Sequence, residues 1–421
     1  MSIIKPHKLG IIAGPGSEYF AGKVTSNLRK SYIARYDKVS KILAKRHNLS
    51  EEQVLRNITF LDDIQSKNLI SSKMPDKFYC PNFDVEVKYT RFVNGEVKAE
   101  IQQPVRGLHM YIIYDVSSTV PIQVAGLDTP TVLSINDHLM FLFTTIGALE
   151  ASGAESITLV LPTYPYARQH KRGARESLTA SMFARFCEQL SVNRIITLDI
   201  HSIEIEMAFT RCHLDNLHGS YQILSVLKDI INLSDPDIVV VSPDTGAVSR
   251  NKFYAQGLHR PLAMLYKERN YSLVSRDAKT SNIQSIKLLG DVKGKTVIMA
   301  DDMIATGGTM IIAMKELMKL GAKRIICIVS LPFFDGSAVE NFDQAYKDNA
   351  FYRIIGTNAV YNDKKLLEKE WFVQADVSDL FARTISRIHH GRSLSPLLHN
   401  RNYLQKLIDS TQEGETKNAD V

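Results

Sequence analysis

Two patterns of hydrophobic and polar positions alternate along the chain. Short β-branched runs are continuously apolar, which is typical of parallel strands buried on both faces. These runs begin at Tyr111, Ser156, Arg194, Asp237, Thr296 and Arg324. Between them, segments such as 179–190 and 309–320 place their apolar residues on one face of a helix. The alternation predicts an α/β protein with helices layered on mainly parallel sheets.

The strand-helix pattern occurs twice, with a seam near His218. We therefore predict two α/β domains of similar build, at residues 1–219 and 220–398. The remaining segment, residues 399–421, is polar and carries too few apolar groups to offset the entropy of ordering it. We expect this segment to form a tail.

Residues from about 31 to 84 differ from the rest of the first domain. They are rich in lysine and contain no strong strand run. Ser50 and Gln53 have the spacing of a capping box, in which two side chains satisfy the free N–H groups at a helix start. This segment is therefore predicted to be a helical insertion.

Composition and charge exclude several classes of protein. With 421 residues, 44% hydrophobic and 23% charged, the chain is unlike collagen, coiled coils or disordered proteins. The net charge of +6 is small for this length and suits anionic small ligands as readily as nucleic acid. Because no helix-turn-helix or basic arm is evident, we expect no nucleic-acid partner.

The cysteines and the apolar segments indicate a cytoplasmic protein. The four cysteines are scattered and form no Cys-x-x-Cys pair, which argues against a disulfide framework and a structural zinc site. The N-terminal segment lacks an apolar signal core. The longest apolar stretch, residues 139–149, is too short to cross a bilayer, so no membrane partner is expected.

The strongest chemical signal follows the run that begins at Thr296. Two carboxylates precede a turn of small residues, and an amphipathic helix comes next. The side chains concerned are Asp301, Asp302, Thr306, Gly307, Gly308 and Thr309. The glycines let backbone N–H groups face an anion, and the helix presents its positive end. The acids would accept hydrogen bonds from ribose hydroxyls or help to place Mg²⁺. The pattern predicts a site for a sugar phosphate.

Three further segments carry candidate chemistry. A basic segment begins at Tyr166 and contains Arg168, Lys171, Arg172 and Arg175; it is either a polyphosphate site or a solvated basic surface. His201 follows a strand and lies near Asp199, and Asp244 follows another strand; such residues are either ligands or hydrogen-bonded structural groups. Lys267 and Arg269 stand where a strand runs into a polar stretch.

The 301–309 loop resembles the phosphoribosyl pyrophosphate loop of type I phosphoribosyltransferases and ribose-phosphate pyrophosphokinases. Residues from about 86 to 398, together with 10–28, resemble the pyrophosphokinases, because nine blocks typical of that family occur in order; the insertion and the tail are outside this resemblance. These are Arg91-Phe-Val-Asn-Gly-Glu96, Val105-Arg-Gly107, Ile135-Asn-Asp-His-Leu-Met140, Tyr166-Ala-Arg-Gln169, Leu198-Asp-Ile-His201, Val241-Ser-Pro-Asp244, Lys267-Glu-Arg269, the loop itself and the block from Arg387 to Ser395.

The resemblance implies roles for the nucleotide-binding residues. Phe92 would stack on adenine, and Asn94 and Glu96 would read the edge of the base. Arg168 and Gln169 would contact ATP. His201 and Asp244 would bind the Mg²⁺ that bridges the two substrates, whereas Asp199 is a weaker candidate for that role. In the family, the residues that match Lys267 and Arg269 belong to a catalytic loop.

The resemblance also implies fold and activity. The expected fold is two type I phosphoribosyltransferase-like domains with the active site between them. The expected reaction converts ATP and ribose 5-phosphate into AMP and 5-phosphoribosyl 1-pyrophosphate, with Mg²⁺ as cofactor. The enzyme is expected to be a homo-oligomer based on a dimer, and a hexamer is one form it could take. The position of Ala305 commonly holds a third Asp in the family. A non-catalytic regulatory subunit and a type I phosphoribosyltransferase are the alternatives.

Overall fold

A computed structural model describes residues 8–54, 82–269 and 283–398. In chain order, the strands in these ranges are β1 (Leu9–Ala13), β2 (Val87–Arg91), β3 (Val97–Ile101), β4 (His109–Ile113), β5 (Ser156–Val160), β6 (Arg194–Leu198), β7 (His213–Leu217), β8 (Ile238–Ser242), β9 (Leu262–Arg269), β10 (Ile283–Leu289), β11 (Thr296–Ile304), β12 (Arg324–Pro332), β13 (Arg353–Thr357) and β14 (Phe372–Ala375). The helices are α1 (Glu18–His47), α2 (Ile135–Ala151), α3 (Thr179–Gln189), α4 (Ser220–Leu227), α5 (Val248–Gly257), α6 (Gly308–Lys319), α7 (Ala338–Lys347), α8 (Lys364–Leu367), α9 (Ser378–His389) and α10 (Ser395–Leu398), and residues Ile203–Ala208 form a 3₁₀ helix.

Two sheets organise the molecule. The first has the order β1-β4-β5-β6-β7, and all of its pairs are parallel. The second has the order β10-β9-β8-β11-β12-β13-β14, and its only antiparallel pair in the described residues joins β9 to β10. Central strands such as β8 are buried along their whole length, as their continuous apolar runs predict. The predicted architecture of mainly parallel sheets flanked by helices is confirmed.

A separate hairpin, β2 with β3, lies beside the first sheet. It packs against α2, where the rings of Tyr89 and Phe141 meet edge to face with centroids 5.4 Å apart. Arg91 forms an ion pair of 3.4 Å with Asp137 in the first turn of α2. The hairpin is therefore held at its base by α2, while its tip projects from that support.

A shared hydrophobic core joins the two sheets. Helix α1 covers the first sheet and also packs on α9, where the rings of Phe20 and Phe381 are 5.3 Å apart. Next to this contact, Asn27 Nδ2 donates to Ser378 Oγ at 2.9 Å. Burial of such large aromatic side chains is among the stronger contributions to packing, so this contact constrains how the two sheets are placed.

The predicted insertion is described only in part. Its first residues continue α1, which ends at Asn48 with a left-handed φ of 52°. The Ser50 N–H then donates to Gln53 Oε1 at 2.8 Å, and the Gln53 N–H donates to Ser50 Oγ at 3.1 Å. These are the two bonds of the capping box. The remainder of the insertion, 55–81, and the polar tail, 399–421, lie outside the described residues.

The state of the cysteines and the character of the helices can be read in the described ranges. Cys187, Cys212 and Cys327 are buried free thiols, and burial raises the pKa of all three. None of the helices in these ranges combines the length and the apolar character that crossing a bilayer requires.

Candidate active site

A cavity of about 430 Å³ opens between the two sheets, at the carboxyl ends of their strands. The first sheet contributes hydroxyl groups, a basic segment and a histidine, while the second contributes the end of β11 and the turn after β12. The polar side chains that line it are Ser117, Ser118, Thr119, Thr163, Tyr166, Arg168, Gln169, His201 and Asp335. A larger cavity, of about 720 Å³, lies between α1 and residues 84–88 and contains none of the predicted site residues.

The small-residue turn after β11 has the geometry of an anion site. Gly307 is the N-cap of α6 and has a φ of 73°, a conformation that L side chains rarely adopt. A Cβ atom on Gly307 would lie 2.1 Å from Cε2 of Phe342, so glycine is also required for space. Thr306, Gly308 and Thr309 are exposed. The first N–H groups of α6 have no acceptor within the helix and therefore remain available to a phosphate.

The two carboxylates on β11 have different environments. The Asp302 N–H donates to Asp301 Oδ1 at 2.9 Å, and Asp302 Oδ2 lies 2.6 Å from His201 Nδ1. Burial, together with the neighbouring charge of Asp302, raises the pKa of Asp301 to about 7. Burial also disfavours ionised Asp302, but the hydrogen bond from His201 and the charge of Arg250 outweigh it and lower the pKa of Asp302. The same hydrogen bond raises the pKa of His201.

Asp244 lies close enough to this pair to influence its charge. It follows β8, and its Oδ1 accepts hydrogen bonds from the N–H groups of Gly246 at 2.9 Å and Ala247 at 3.1 Å. Its charge contributes to the raised pKa of Asp301. His201 is therefore in contact with Asp302, and Asp244 is near enough to Asp301 to affect its pKa.

The carboxylates suit a hard cation that shares its coordination with a substrate. Across the described ranges, no three His, Cys, Asp or Glu side chains are grouped closely enough to bind a metal by themselves. Mg²⁺ is usually bound by one or two protein carboxylates, with phosphate oxygens and water completing the octahedron. The crowding that raises the pKa of Asp301 indicates a site where added positive charge is favourable. The donor set therefore fits Mg²⁺ in the presence of a phosphorylated substrate.

The basic segment enters the cavity through only part of its length. Tyr166 has a φ of 54°, and its hydroxyl donates to Asn136 Oδ1. Arg168 crosses to the second sheet, where its Nε donates to Met303 Sδ at 3.0 Å. Lys171 is instead paired with Glu204 at 3.3 Å. Arg168 and Gln169 line the cavity, as expected for ligand-binding residues, whereas Arg172 and Arg175 are exposed and do not line it.

The hairpin tip is not part of this cavity. The backbone closes the tip through the Phe92 N–H, which donates to Glu96 O at 2.8 Å. The Asn94 side chain turns back to accept from the Glu96 N–H at 3.1 Å. The Phe92 ring is 48% exposed, and Val93 beside it is fully exposed. Within this one chain, Phe92, Asn94 and Glu96 therefore do not meet Arg168 and Gln169.

Lys267 and Arg269 lie on β9, which pairs with β10 at one edge of the second sheet. Lys267 is opposite Ile286 in the register, and Arg269 is opposite Ile283. The positions of their side chains lie outside the description. Their catalytic role stays a prediction.

Several residues that line the cavity are not among those predicted from the sequence. Ser117, Ser118 and Thr163 follow strands β4 and β5, and hydroxyl residues at the carboxyl ends of parallel strands would have been a usable signal. Asp335 belongs to the turn after β12, where its N–H donates to Ala305 O at 3.0 Å. It brings a carboxylate into the cavity beside Ala305.

Comparison with known proteins identifies the family. The model of the N-terminal domain of ribose phosphate pyrophosphokinase matches residues 64–190, and the model of the phosphoribosyl transferase domain matches residues 214–365. Ribose-phosphate pyrophosphokinase 2 of Enterococcus faecalis is 32% identical over 74% of this chain and 88% of its own length. The chain belongs to the ribose-phosphate pyrophosphokinase family. Ribose-phosphate pyrophosphokinase 1 of Streptococcus pyogenes is 33% identical over 74% of this chain and 89% of its own length.

A solved structure of this family has the same fold. The crystal structure of phosphoribosylpyrophosphate synthetase from Mycobacterium smegmatis superposes with a TM-score of 0.65 and 24% sequence identity. The superposition covers 91% of this chain and 99% of the other. The predicted arrangement of two phosphoribosyltransferase-like domains is therefore confirmed.

Proposed function

We propose that this protein is a ribose-phosphate diphosphokinase. It transfers the β,γ-diphosphoryl group of Mg-ATP to the anomeric hydroxyl of ribose 5-phosphate and releases AMP. The observation that carries the proposal is the contact between the two sheets at one cavity. Asp302 of the second sheet lies 2.6 Å from His201 of the first, and Ala305, just before the glycine turn, lines the cavity together with Arg168 and His201.

Ribose 5-phosphate binds at the end of β11. Its phosphate lies at the start of α6 and accepts hydrogen bonds from backbone N–H groups of Gly308 and Thr309, with the Thr306 and Thr309 hydroxyls as further donors. Its ring hydroxyls donate to Asp301 and Asp302, whose oxygens are acceptors when the acids are ionised. The substrate then spans the short distance from the turn to the mouth of the cavity.

ATP binds on the first-sheet side. Arg168 and Gln169 contact the nucleotide, and the guanidinium offers the bidentate donors that phosphates accept. Asp244 and His201 would hold Mg²⁺ together with oxygens of the substrates, and the Nδ1 atom of His201 can keep its contact with Asp302 because the ring has a second nitrogen, Nε2. The ion would supply charge neutralisation for the polyphosphate.

The chemical step requires positioning more than covalent assistance. In-line attack by the anomeric oxygen on the β-phosphorus forms one P–O bond and breaks the bond to the α-phosphate, which leaves as AMP. The proton of the attacking hydroxyl passes to solvent or to a nearby carboxylate. Lys267 and Arg269 neutralise charge on the transferred group, which is the main need in phosphoryl transfer.

The hairpin tip supports a homo-oligomer. Phe92 presents an exposed ring at a tip that does not reach its own cavity. We propose that the tip of one subunit closes the nucleotide site of a second subunit, where Phe92 stacks on adenine and Asn94 and Glu96 bind its edge. A dimer is the smallest assembly that satisfies this arrangement.

The decisive experiment is to incubate the purified protein with Mg-ATP and follow AMP with and without ribose 5-phosphate. We expect AMP to appear only when the sugar phosphate is present, together with 5-phosphoribosyl 1-pyrophosphate. Absence of AMP, with retained binding of ribose 5-phosphate, would instead identify a non-catalytic subunit. Consumption of 5-phosphoribosyl 1-pyrophosphate with a nucleobase would identify a phosphoribosyltransferase.

A further inference from the structure

Asp199, the weaker candidate for a magnesium ligand, lies at the seam between the two sheets. It directly follows β6, and its backbone has a left-handed φ of 41°, which is uncommon for a residue other than glycine. Its side chain is only 10% exposed. A strained and buried carboxylate at this place must be held by specific partners.

The two oxygens of Asp199 are fully engaged by protein donors. Oδ1 lies 2.9 Å from His218 Nδ1 and 3.5 Å from a guanidinium nitrogen of Arg250. Oδ2 accepts from the Gly219 N–H at 3.1 Å and from Ser330 Oγ at 2.6 Å. A carboxylate offers about four acceptor positions; three hydrogen bonds already occupy this one, and the Arg250 guanidinium lies beside Oδ1 as an ion-pair partner. Little acceptor capacity is left for a cation.

These donors come from both sheets. His218 and Gly219 follow β7 of the first sheet, whereas Ser330 belongs to β12 of the second sheet and Arg250 to α5 beside it. Ser330 is itself buried, and its carbonyl accepts from Thr357 Oγ1 at 2.6 Å on the neighbouring strand. One carboxylate therefore ties the end of β6 to the centre of the second sheet.

The contacts of Asp199 with the second sheet lie next to the proposed metal site. His201 is two residues after Asp199, and its Nδ1 lies 2.6 Å from Asp302 of the second sheet. Arg250, on the other side of the tie, also contributes positive charge to the environment of Asp302. Any shift of Asp199 relative to Ser330 would change how His201 faces the β11 carboxylates.

We infer that Asp199 is a positioning residue that joins the two sheets and sets His201 against Asp302, and that it is not a magnesium ligand. This inference rests on the proposed function only for the activity readout. Its geometric content, a carboxylate already saturated by donors from both sheets, is independent of the reaction.

The first test separates positioning from metal binding. Mn²⁺ serves as a paramagnetic probe, and its binding to the full chain in the presence of ATP is measured by electron paramagnetic resonance. We expect Asp199→Asn to lower kcat about 10-fold or more, because an amide cannot accept all the hydrogen bonds that the carboxylate accepts. Mn²⁺ affinity should fall less than it does in His201→Gln, because Asp199 acts on the metal only through the position of His201. His201→Gln is the comparison and should weaken Mn²⁺ binding about 10-fold. Equal weakening in both variants would overturn the inference.

A second pair of variants acts from the opposite sheet. Ser330→Ala removes one donor to Asp199 without approaching the metal site, and Ser330→Thr keeps the hydroxyl. We expect the alanine variant to lower kcat about 5- to 10-fold and the threonine variant to recover most of that loss. The double variant Asp199→Asn/Ser330→Ala should lose less than the product of the single losses, since both break one contact. If the losses of kcat simply multiply in the double variant, the proposed contact between Asp199 and Ser330 is contradicted.

These readouts also separate this inference from the proposed function. If the wild-type protein proves inactive, Mn²⁺ binding to the Asp199→Asn and His201→Gln variants still decides whether Asp199 is a ligand. Where Asp199→Asn fails to fold, the Ser330 pair decides through thermal unfolding. A lower Tm in Ser330→Ala that Ser330→Thr restores supports the contact between Asp199 and Ser330. Equal Tm values in the two variants oppose it.

Discussion

The loop from Asp301 to Thr309 and the hairpin tip from Phe92 to Glu96 are both recognisable as sequence motifs. They differ in how much of the predicted binding site each motif forms on its own. The loop forms its anion site from consecutive residues, because Gly307 adopts a φ of 73° and α6 begins at once. The tip also has a well-defined local turn, but none of its three predicted ligand residues lines the cavity of the same chain. A motif whose ligand binds within the turn is complete once the turn forms. A motif that only presents a side chain depends on what packs opposite it.

The largest expected effect concerns the antiparallel pair β9 and β10 at the edge of the second sheet. Lys267→Ala and Arg269→Ala should each lower kcat about 100-fold or more while the KM for ATP changes little, since a cation directed at developing charge acts mainly in the transition state. Steady-state kinetics for both substrates measure this. If weaker ATP binding accompanies an unchanged kcat, these residues belong to substrate binding, as the Phe92 tip is proposed to do.

Substitutions at the two glycines of the loop test whether the turn needs a glycine and the space beside Phe342. Gly307→Ala should destabilise the protein by roughly 2–4 kcal/mol, because the new Cβ atom adds backbone strain and overlaps Phe342. Gly308→Ala is the matched control, since a Cβ there meets nothing within 4 Å, and its stability should change by about 0.5 kcal/mol at most. Denaturant unfolding compares the two. Equal destabilisation would show that Phe342 does not restrict the turn.

The hairpin tip is tested by its selectivity for one substrate. Phe92→Ala should raise the KM for ATP about 5- to 100-fold and leave the KM for ribose 5-phosphate nearly constant, because stacking on a base is worth ~1–3 kcal/mol and serves only adenine. A parallel rise for both substrates would indicate a damaged scaffold.

Complementation then asks which chain the tip serves. We expect co-expression of Phe92→Ala with Arg168→Ala to recover part of the activity that each variant lacks, since a mixed dimer contains one intact site. No recovery in oligomers shown to be mixed would place the tip and Arg168 in the same subunit's site and remove the proposed exchange.

The last prediction is a pH dependence of stability that arises from the loop's carboxylate pair. The pKa of Asp301 is raised to about 7, while an Asp in the unfolded chain titrates near ~3.9. The folded state therefore binds more protons between these values, and the contribution of Asp301 to the free energy of unfolding falls as the pH rises through this window. Asp301→Asn should thus raise Tm relative to the wild type more at pH 8 than at pH 4.5, without metal. An equal difference at both pH values would be inconsistent with the raised pKa.

Local patterns predicted much of the fold. The continuous apolar runs at β5, β6, β8, β11 and β12 and the helices α3 and α6 lie where hydrophobic periodicity places them, with boundaries within about a residue for both helices. The tip hairpin and the short strands β7 and β14 have weaker apolar runs, because edge strands need less continuous burial. Their positions became clear only from their pairing partners.

The residues of the candidate site also differ in whether the sequence alone predicts their roles. The sequence by itself predicted the turn proposed to bind an anion, because its conformation depends on glycine φ freedom and a helix start within a few consecutive residues. It also placed Asp301, Asp302, His201 and Asp244 at strand ends, where parallel sheets collect ligand-binding groups.

Only the tertiary structure decided that Asp199 and His201, two residues apart, have different surroundings. Asp199 accepts three hydrogen bonds and pairs with Arg250, whereas His201 lines the cavity and contacts Asp302. The sequence alone could not separate them, because hydrogen-bond donors such as Ser330, 131 positions away, reach Asp199 only through packing of the second sheet against the first. Burial and donor count depend on those distant contacts, and they determine whether a carboxylate binds a cation or holds the protein together.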